Sequence, residues 1–259
     1  MMIAFDLDNT LLDSAACAFP ESALLALKKL RKRHKIILAT GRDMDTKYSR
    51  IYLEDVSPDG IVHMNGTKLS VGDKLLLRHV MDRSFVREML EFGKKRGLAV
   101  GFSKGDYDYF TSPELVEKLD TAYLGKCYRN FRDPMEILDM ECSSMTIRGY
   151  QEMIDEMAGH FPNLDFLPFG GYQGADIVEK GFSKADGLRR LAAYFGEPED
   201  LSTTVAFGDS MNDMDMIRAA GIGVAMGNAV QPLKDEADYI TTGVREDGIY
   251  RACEHLGLF

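Results

Sequence analysis

Short apolar runs that end in polar residues recur near both ends of the chain and constrain its fold most strongly. These runs cover residues 3–7, 36–39, 61–64, 204–207 and 222–226. Continuous apolar runs of this length are typical of strands buried on both faces of a parallel sheet. Apolar residues at helical spacing follow two of them, over residues 20–30 and 211–217. The alternation predicts an α/β fold, a doubly wound, mostly parallel, Rossmann-like sheet.

The pattern changes between about residues 83 and 180. Short strand patterns are predicted here at residues 98–102, 107–110, 143–147, 164–167 and 175–178. Helical patterns at residues 85–95 and 151–161 interrupt them. We therefore predict a discontinuous core domain, residues 1–82 and 181–259, with an inserted α+β cap domain, residues 83–180. The cap is expected over the carboxyl edge of the core sheet.

Charge and composition narrow the classes of partner. The formal charge of -10 and the pI near 5.0 disfavour binding to nucleic acid or to anionic membrane surfaces. No apolar stretch approaches the roughly 20 residues that span a bilayer, and no signal peptide precedes Asp6. The four cysteines lie far apart in the sequence. We expect a cytoplasmic protein with reduced thiols that takes a small-molecule substrate.

Two carboxylates, Asp6 and Asp8, follow the first apolar run. In extended backbone, side chains two residues apart point to the same side. Like charges this close persist only if they share a proton or bind a cation, and Mg²⁺ prefers oxygen ligands. The pair therefore indicates a metal site, although Asp8-Asn9-Thr10 also fits a simple turn.

Three further polar groups are expected at the same edge of the sheet. The hydroxyl of Thr40 and the backbone amides from Gly41 onwards can donate to phosphoryl oxygens, although Thr40-Gly41 also fits a turn. Lys184 stands at a predicted helix start, where Ser183 could cap the helix, although most lysines are solvated surface residues. Residues 208–213 place two acids and an amide around a glycine turn, which is unfavourable to bury unless they bind something.

As a set, these motifs resemble the four ordered motifs of the haloacid dehalogenase-like phosphohydrolases. The matching motifs are Asp6-Leu7-Asp8-Asn9-Thr10, Thr40, Lys184 and Gly208-Asp209-Ser210-Met211-Asn212-Asp213. The long middle insert, Thr40-Gly41-Arg42 and Asn65-Gly66 resemble the Cof-type branch, which has a large α/β cap. Asn9 replaces a glycine that is commoner in that branch, and asparagine tolerates the left-handed backbone.

The resemblance implies an Mg²⁺-dependent phosphatase of small phosphorylated metabolites, such as sugar phosphates or phosphorylated cofactors. It implies that Asp6 attacks phosphorus and becomes an aspartyl phosphate, while Asp8 acts as general acid and base. The Asp6 carboxylate, the Asp8 main-chain carbonyl and the Asp209 carboxylate would hold Mg²⁺. Asp213 would orient the metal shell or pair with Lys184.

The resemblance also implies ligands for the phosphoryl group and the rest of the substrate. The phosphate ligands would be Thr40, Gly41, Lys184 and Asn212. Arg42 and Asn65 are candidate substrate contacts, with structural roles equally open. In the cap, residues 104–109 and the glycine-rich residues 170–174 are candidates for selecting the leaving group, although both also fit hairpin turns.

Two alternatives share the same residues. A phosphotransferase or phosphomutase would use the same aspartyl phosphate and pass the phosphoryl group to another hydroxyl. A catalytically silent sensor of a phosphorylated ligand would instead have lost a motif residue, and the sequence retains all four motifs.

Overall fold

The computed structural model of the chain describes residues 1–169 and 173–259. Its strands are β1 (Met2–Phe5), β2 (Lys35–Ala39), β3 (Gly60–His63), β4 (Lys68–Val71), β5 (Lys74–Arg78), β6 (Ala99–Lys104), β7 (Tyr107–Phe110), β8 (Met145–Arg148), β9 (Leu164–Pro168), β10 (Ala175–Glu179), β11 (Val205–Gly208), β12 (Ile222–Ala225) and β13 (Tyr239–Ile240). Its α-helices are α1 (Glu21–Leu30), α2 (Lys47–Arg50), α3 (Leu53–Val56), α4 (Arg83–Arg96), α5 (Pro113–Leu124), α6 (Gln151–His160), α7 (Lys184–Phe195), α8 (Met214–Ala219), α9 (Gln231–Glu236) and α10 (Gly248–His255). Short 3-10 helices cover Met64–Gly66, Pro134–Asp139 and Met211–Asp213. Within the described ranges, no helix is both long enough and apolar enough to cross a membrane.

Internal contacts divide the chain into two compact units. The first unit comprises Met1–Arg78 and Phe182–Phe259, and the second comprises His79–Gly181. The first unit contains an eight-stranded sheet in the order β13-β12-β11-β1-β2-β3-β4-β5. Its strands from β13 to β3 are parallel, and β4 and β5 add an antiparallel hairpin.

The central strands of the first unit are buried on both faces. Every residue of β1, β3 and β11 is buried, and Phe5 stacks on Phe207 with ring centroids 4.8 Å apart. Helix α1 contacts α10, and α7 contacts α8. The predicted doubly wound, mostly parallel sheet is confirmed, and the continuous apolar runs reflect its double-sided burial.

The second unit is built on a separate antiparallel sheet in the order β7-β6-β8-β10-β9. Its core includes Val86 and Leu90 of α4, Ile147 of β8 and Met157 of α6. The strands and both helices predicted in this region are found within a few residues of their predicted bounds. Helix α5 is an addition to the prediction. Residues 170–172 of the predicted glycine-rich loop lie outside the described residues.

Candidate active site

Parallel pairing brings the ends of three strands together. Phe5 of β1 pairs with Phe207 of β11 on one side and with Leu38 of β2 on the other. Asp6, Asp209 and Thr40 follow these strand ends, within two residues of the paired positions. All three side chains are buried, with at most 7% of their surface exposed. The carboxyl edge of the sheet therefore gathers polar groups that are far apart in the sequence.

Lys184 is a fully buried cation at this edge. It is the first residue of α7, whose start is capped by Ser183, because the Ser183 hydroxyl accepts from the Asp186 amide. The Lys184 Nζ donates to Asp6 Oδ1 at 2.6 Å and to Asp213 Oδ1 at 2.5 Å. Lys184 is thus an internal partner of two carboxylates rather than a surface residue.

A glycine turn allows the loop after β3 to approach the start of α7. Gly66 has a φ of +100°, and a Cβ atom there would lie 2.2 Å from the carbonyl oxygen of Ser183. Any side chain would therefore clash with the helix cap. The preceding residue, Asn65, is left-handed with a φ of 52° and is buried.

Asp213 uses both carboxylate oxygens within the protein. Its Oδ1 accepts from Lys184, while its Oδ2 accepts from the backbone amides of Asp209 and Ser210 at 2.9 and 3.0 Å. A Cβ at Gly208 would lie 2.5 Å from the Cβ of Asp213, so this close turn needs glycine. Of the two alternatives from the sequence, the structure shows the pairing of Asp213 with Lys184.

Negative charge is in excess at the site. Carboxylate oxygens of Asp6, Asp209 and Asp213 lie within 4.8 Å of one another, a spacing that could hold a metal ion. Burial, reinforced by Asp213 and Asp8 and opposed by Lys184, raises the pKa of Asp6 to about 7. Burial and the charges of Asp6 and Asp213 raise the pKa of Asp209 to about 9. One ammonium therefore does not balance the three carboxylates, and a bound cation would.

Polar side chains also lie on the loops that follow β2, β3 and β11. Thr40 Oγ1 accepts from the Arg42 amide at 3.1 Å, which leaves the hydroxyl proton for another acceptor. Gly41 lies between these residues and is partly exposed. Asn212 Nδ2 donates to Asn65 Oδ1 at 3.1 Å, so the loops after β3 and β11 are joined.

Arg42 binds Asp8 in the structure. Arg42 Nε donates to Asp8 Oδ2 at 2.7 Å, and Arg42 Nη2 donates to Asp8 Oδ1 at 2.6 Å. Ser14 Oγ also donates to Asp8 Oδ1, at 2.9 Å. Burial lowers the pKa of Arg42, but the hydrogen bonds and charge of Asp8 outweigh it, so the pKa of Arg42 is raised. The sequence made Arg42 a candidate substrate contact or structural residue and did not indicate its pairing with Asp8.

The loop that carries Asp8 has the backbone conformation expected from its asparagine. Asn9 has a φ of 57°, in the left-handed region that asparagine tolerates. Asn228 Nδ2 donates to the Asn9 carbonyl at 2.9 Å. The structure thus shows asparagine in a left-handed conformation at the position where glycine is commoner in the Cof-type branch.

Comparisons with known proteins agree over nearly the whole chain. The haloacid dehalogenase-like hydrolase family matches residues 3–253. The putative phosphatase YkrA of Bacillus subtilis is 28% identical over 266 residues, which cover 99% of this chain and 98% of YkrA. The 5-amino-6-(5-phospho-D-ribitylamino)uracil phosphatase YitU of Bacillus subtilis is 24% identical over 96% of this chain and 95% of its own. The solved structure of the subclass IIB sugar phosphatase BT4131 has a TM-score of 0.87 at 30% identity and covers 100% of this chain and 99% of its own.

Proposed function

The chain belongs to the haloacid dehalogenase-like hydrolases, as its motifs predicted, and from this membership we propose an Mg²⁺-dependent phosphatase that forms an aspartyl phosphate on Asp6. The enzyme class is that of the phosphoric monoester hydrolases. The observation that supports the mechanism is the buried cluster in which Lys184 contacts Asp6 and Asp213 beside Asp209.

Asp6 would act as the nucleophile. One carboxylate oxygen of Asp6 forms a bond to phosphorus while the bond from phosphorus to the leaving oxygen breaks. Water then attacks the phosphorus of the aspartyl phosphate, which releases inorganic phosphate and restores Asp6. Lys184, 2.6 Å from Asp6 Oδ1, holds the carboxylate in one orientation through both steps.

The acids fit Mg²⁺ as a cofactor. They offer hard oxygen ligands and carry more negative charge than Lys184 neutralises. Both oxygens of Asp213 already accept hydrogen bonds, so the carboxylates of Asp6 and Asp209 would hold the ion, with the Asp8 carbonyl that the family resemblance implies. When bound, Mg²⁺ would offset the charge of the phosphoryl group.

Asp8 would move the protons. It would donate a proton to the leaving oxygen and later accept one from the attacking water. Its side chain is 35% exposed, so it can reach a substrate. Arg42 and Ser14 occupy both of its oxygens, so Asp8 must exchange one of these hydrogen bonds for the leaving oxygen.

Neutral and cationic donors would hold the phosphoryl oxygens. Lys184 supplies a positive charge, and the Thr40 hydroxyl supplies a hydrogen bond beside the amide of Gly41. Asn212 would add an amide donor from the turn that also carries Asp213. Such fixed donors act mainly by stabilising the charge that spreads over the phosphoryl group in the transition state.

The substrate is proposed to be a small phosphate ester with a hydroxylated carbon chain. One relative is named a sugar phosphatase, and another is named for a ribityl phosphate. Both names describe a phosphate on a polyhydroxylated chain. Arg42 and Asn65 would contact the substrate from the core side, and the second unit would act as the cap that selects the leaving group.

Phosphate release from a panel of sugar phosphates, flavin mononucleotide, pyridoxal phosphate and ribityl phosphates tests the proposal. Activity is expected with Mg²⁺ and not with a chelator. Asp6→Asn should lower kcat by about 10⁴-fold or more, since it removes the nucleophile. The matched control is Asp215→Asn. Asp215 is exposed and lies two residues after Asp213, so this variant should keep the wild-type rate. Full activity in Asp6→Asn would exclude the mechanism, and an isomeric product without phosphate release would favour a phosphomutase.

A further inference from the structure

Lys68 is a buried lysine outside the acid cluster. It is the first residue of β4, and only 3% of its surface is exposed. Its Nζ donates to Asp43 Oδ1 at 2.6 Å and also to Asp45 Oδ2. A buried ammonium is unfavourable without partners, and these two carboxylates provide them. The strand of the hairpin is thereby joined to the loop that follows Arg42.

His63 holds the same loop at a second point. It ends β3 and is fully buried. Its Nδ1 accepts from the Met44 amide at 3.2 Å, and its Nε2 is hydrogen-bonded with Ser70 Oγ at 2.8 Å. The Met44 side chain is also completely buried. Residues 43–45 are therefore held by the hydrogen bond from the Met44 amide to His63, by the burial of the Met44 side chain and by the ammonium of Lys68.

The held segment begins at the residue that binds Asp8. Arg42 precedes Asp43 directly, and the Arg42 carbonyl accepts from the Met64 amide at 3.1 Å. Because consecutive residues share a planar peptide, fixing Asp43 also limits the directions in which the Arg42 side chain can extend. Arg42 in turn donates two hydrogen bonds to Asp8.

We propose that Lys68 is a positioning residue for catalysis. Through Asp43 and Asp45 it fixes the segment 42–45, and through Arg42 it sets the orientation of the Asp8 carboxylate. The inference rests on the proposed function, in which Asp8 is the general acid and base. Lys68 itself contacts neither reacting group.

The chemistry of the pair favours positioning over stability as its role. The side chains of Asp43 and Asp45 are 33% and 62% exposed, so solvent screens their attraction to Lys68 and the ion pairs add little to the free energy of unfolding. The ammonium instead supplies two directed hydrogen bonds to residues that flank Met44. Directed bonds fix an orientation, and small displacements at an active site have large effects on rate.

A double-mutant cycle tests the route through Arg42. The variants are Lys68→Met, Arg42→Ala and their combination, assayed for kcat/KM on the ester that the wild type hydrolyses fastest. Lys68→Met should lower kcat/KM by about ten- to a hundredfold. In the Arg42→Ala background the same change should have no further effect, since the route to Asp8 is already broken. Lys68→Arg keeps the charge and should recover part of the loss. Arg218→Met, which removes an exposed pair with Glu236 in the same unit, is the control and should keep the wild-type value.

If Lys68→Met lowered kcat/KM equally in the wild-type and Arg42→Ala backgrounds, the proposal would be overturned. It would also be overturned if Lys68→Met lowered the free energy of unfolding but kept the wild-type kcat/KM. Hydrogen exchange at the amides of residues 43–45 measures the anchor without any assay of activity. We expect faster exchange at these amides in Lys68→Met, or in Lys68→Arg if Lys68→Met does not fold. Unchanged exchange would exclude the anchor. An inactive wild type would overturn the proposed function and the catalytic role of Lys68 with it, whereas the exchange result would still show whether Lys68 anchors residues 43–45.

Discussion

The two units each contain a buried cluster of charges, and the clusters differ in the balance of negative and positive charge. The acid cluster of the first unit consists of Asp6, Asp209 and Asp213 with Lys184. The paired cluster of the second unit consists of Asp108, Asp120, Arg129 and Arg148. The first sets three carboxylates against one cation. Within the described part of the chain, the ion pairs of the second cluster join two carboxylates to two cations, with N–O distances of 2.8 to 2.9 Å.

The difference separates a candidate site from a structural network. In the acid cluster, burial and mutual repulsion raise the pKa of Asp6 and Asp209, so the cluster gains from binding a cation. In the paired cluster, Asp120 accepts from both Arg129 and Arg148. Burial of charge is common to both clusters, and the excess of one sign is what indicates function.

Removal of Lys184, the cation of the acid cluster, should lower both activity and stability. Lys184→Met leaves the acid cluster without its internal partner, and it removes the proposed cationic donor to the phosphoryl group. We expect kcat to fall by about 10²–10³-fold. The free energy of unfolding should fall by about 3–5 kcal/mol, since buried carboxylates lose their cation. Steady-state kinetics and denaturant titration measure both, and a wild-type kcat would contradict the role of Lys184.

Breaking the paired cluster should affect stability alone. Asp120→Asn deprives two arginines of a charged partner, and we expect the free energy of unfolding to fall by about 3 kcal/mol. Both carboxylate oxygens of Asp120 accept from arginines, Oδ1 from Arg148 and Oδ2 from Arg129, so we expect Asp120 to have no part in catalysis. Denaturant titration gives the loss, and kcat/KM below the unfolding transition should equal that of the wild type. A large loss of kcat/KM would show that the two clusters are not different in kind.

Mg²⁺ should stabilise the wild type through the acid cluster. At about 100 times its dissociation constant, a ligand that binds only the folded state adds about 2.7 kcal/mol. Thermal unfolding with Mg²⁺ and with a chelator measures this gain. Asp209→Asn should lose the gain, whereas Asp120→Asn should retain it. If Mg²⁺ stabilised Asp209→Asn as much as the wild type, the ion would bind elsewhere.

The gain from Mg²⁺ should grow with pH. The pKa of Asp209 rises from 3.8 to about 9 on folding, so the folded protein binds more protons across that range. Without metal, the free energy of unfolding therefore falls as pH rises from 3.8 towards 9. The proposed Mg²⁺ ion would bind the ionised carboxylate, so its stabilisation should increase over the same interval. Unfolding measured at several pH values with and without Mg²⁺ tests the sign, and a flat difference would contradict it.

An exposed ion pair should contribute least to the free energy of unfolding. Arg218 and Glu236 lie 2.8 Å apart, and about half of each side chain is exposed. Arg218→Met should change the free energy of unfolding by about 1 kcal/mol or less, because solvent screens such pairs. Denaturant titration that gave a loss as large as that of Asp120→Asn would show that burial does not separate these cases.

The motif residues could be placed from the sequence because each is tied to a local element. Asp6, Thr40 and Asp209 directly follow buried strands, and Lys184 starts a capped helix. Parallel strands end at one edge, so the fold class alone predicts that such residues meet. The family read from these motifs is confirmed.

The pairings among side chains could not be predicted in this way. Arg42 and Asp8 are 34 positions apart, and Lys68 and Asp43 are 25 apart. No periodicity connects such residues, because tertiary packing sets their distance. The hairpin of β4 and β5 was missed for a related reason. It lies at the edge of the sheet, and most of β5 is partly or fully exposed, which weakens the apolar pattern.

Helix α5 had a local signal that sequence reasoning did not use. Ser112 and Pro113 stand at its start, and Gly125 ends it in the left-handed conformation. Val116 and Leu119 are its buried apolar residues. This start and stop pattern would have indicated a helix between the strand patterns at residues 107–110 and 143–147.

Chemical trapping of the phosphorylated protein tests the central claim most directly. Wild-type protein mixed with a substrate and Mg²⁺ is quenched in acid and reduced with borohydride, which converts an aspartyl phosphate to homoserine. Peptide mass spectrometry then locates the reduced residue. The proposed mechanism predicts reduction at position 6, dependent on substrate and absent from Asp6→Asn. Turnover of the substrate with no reduction at position 6, or with reduction at another aspartate, would contradict it.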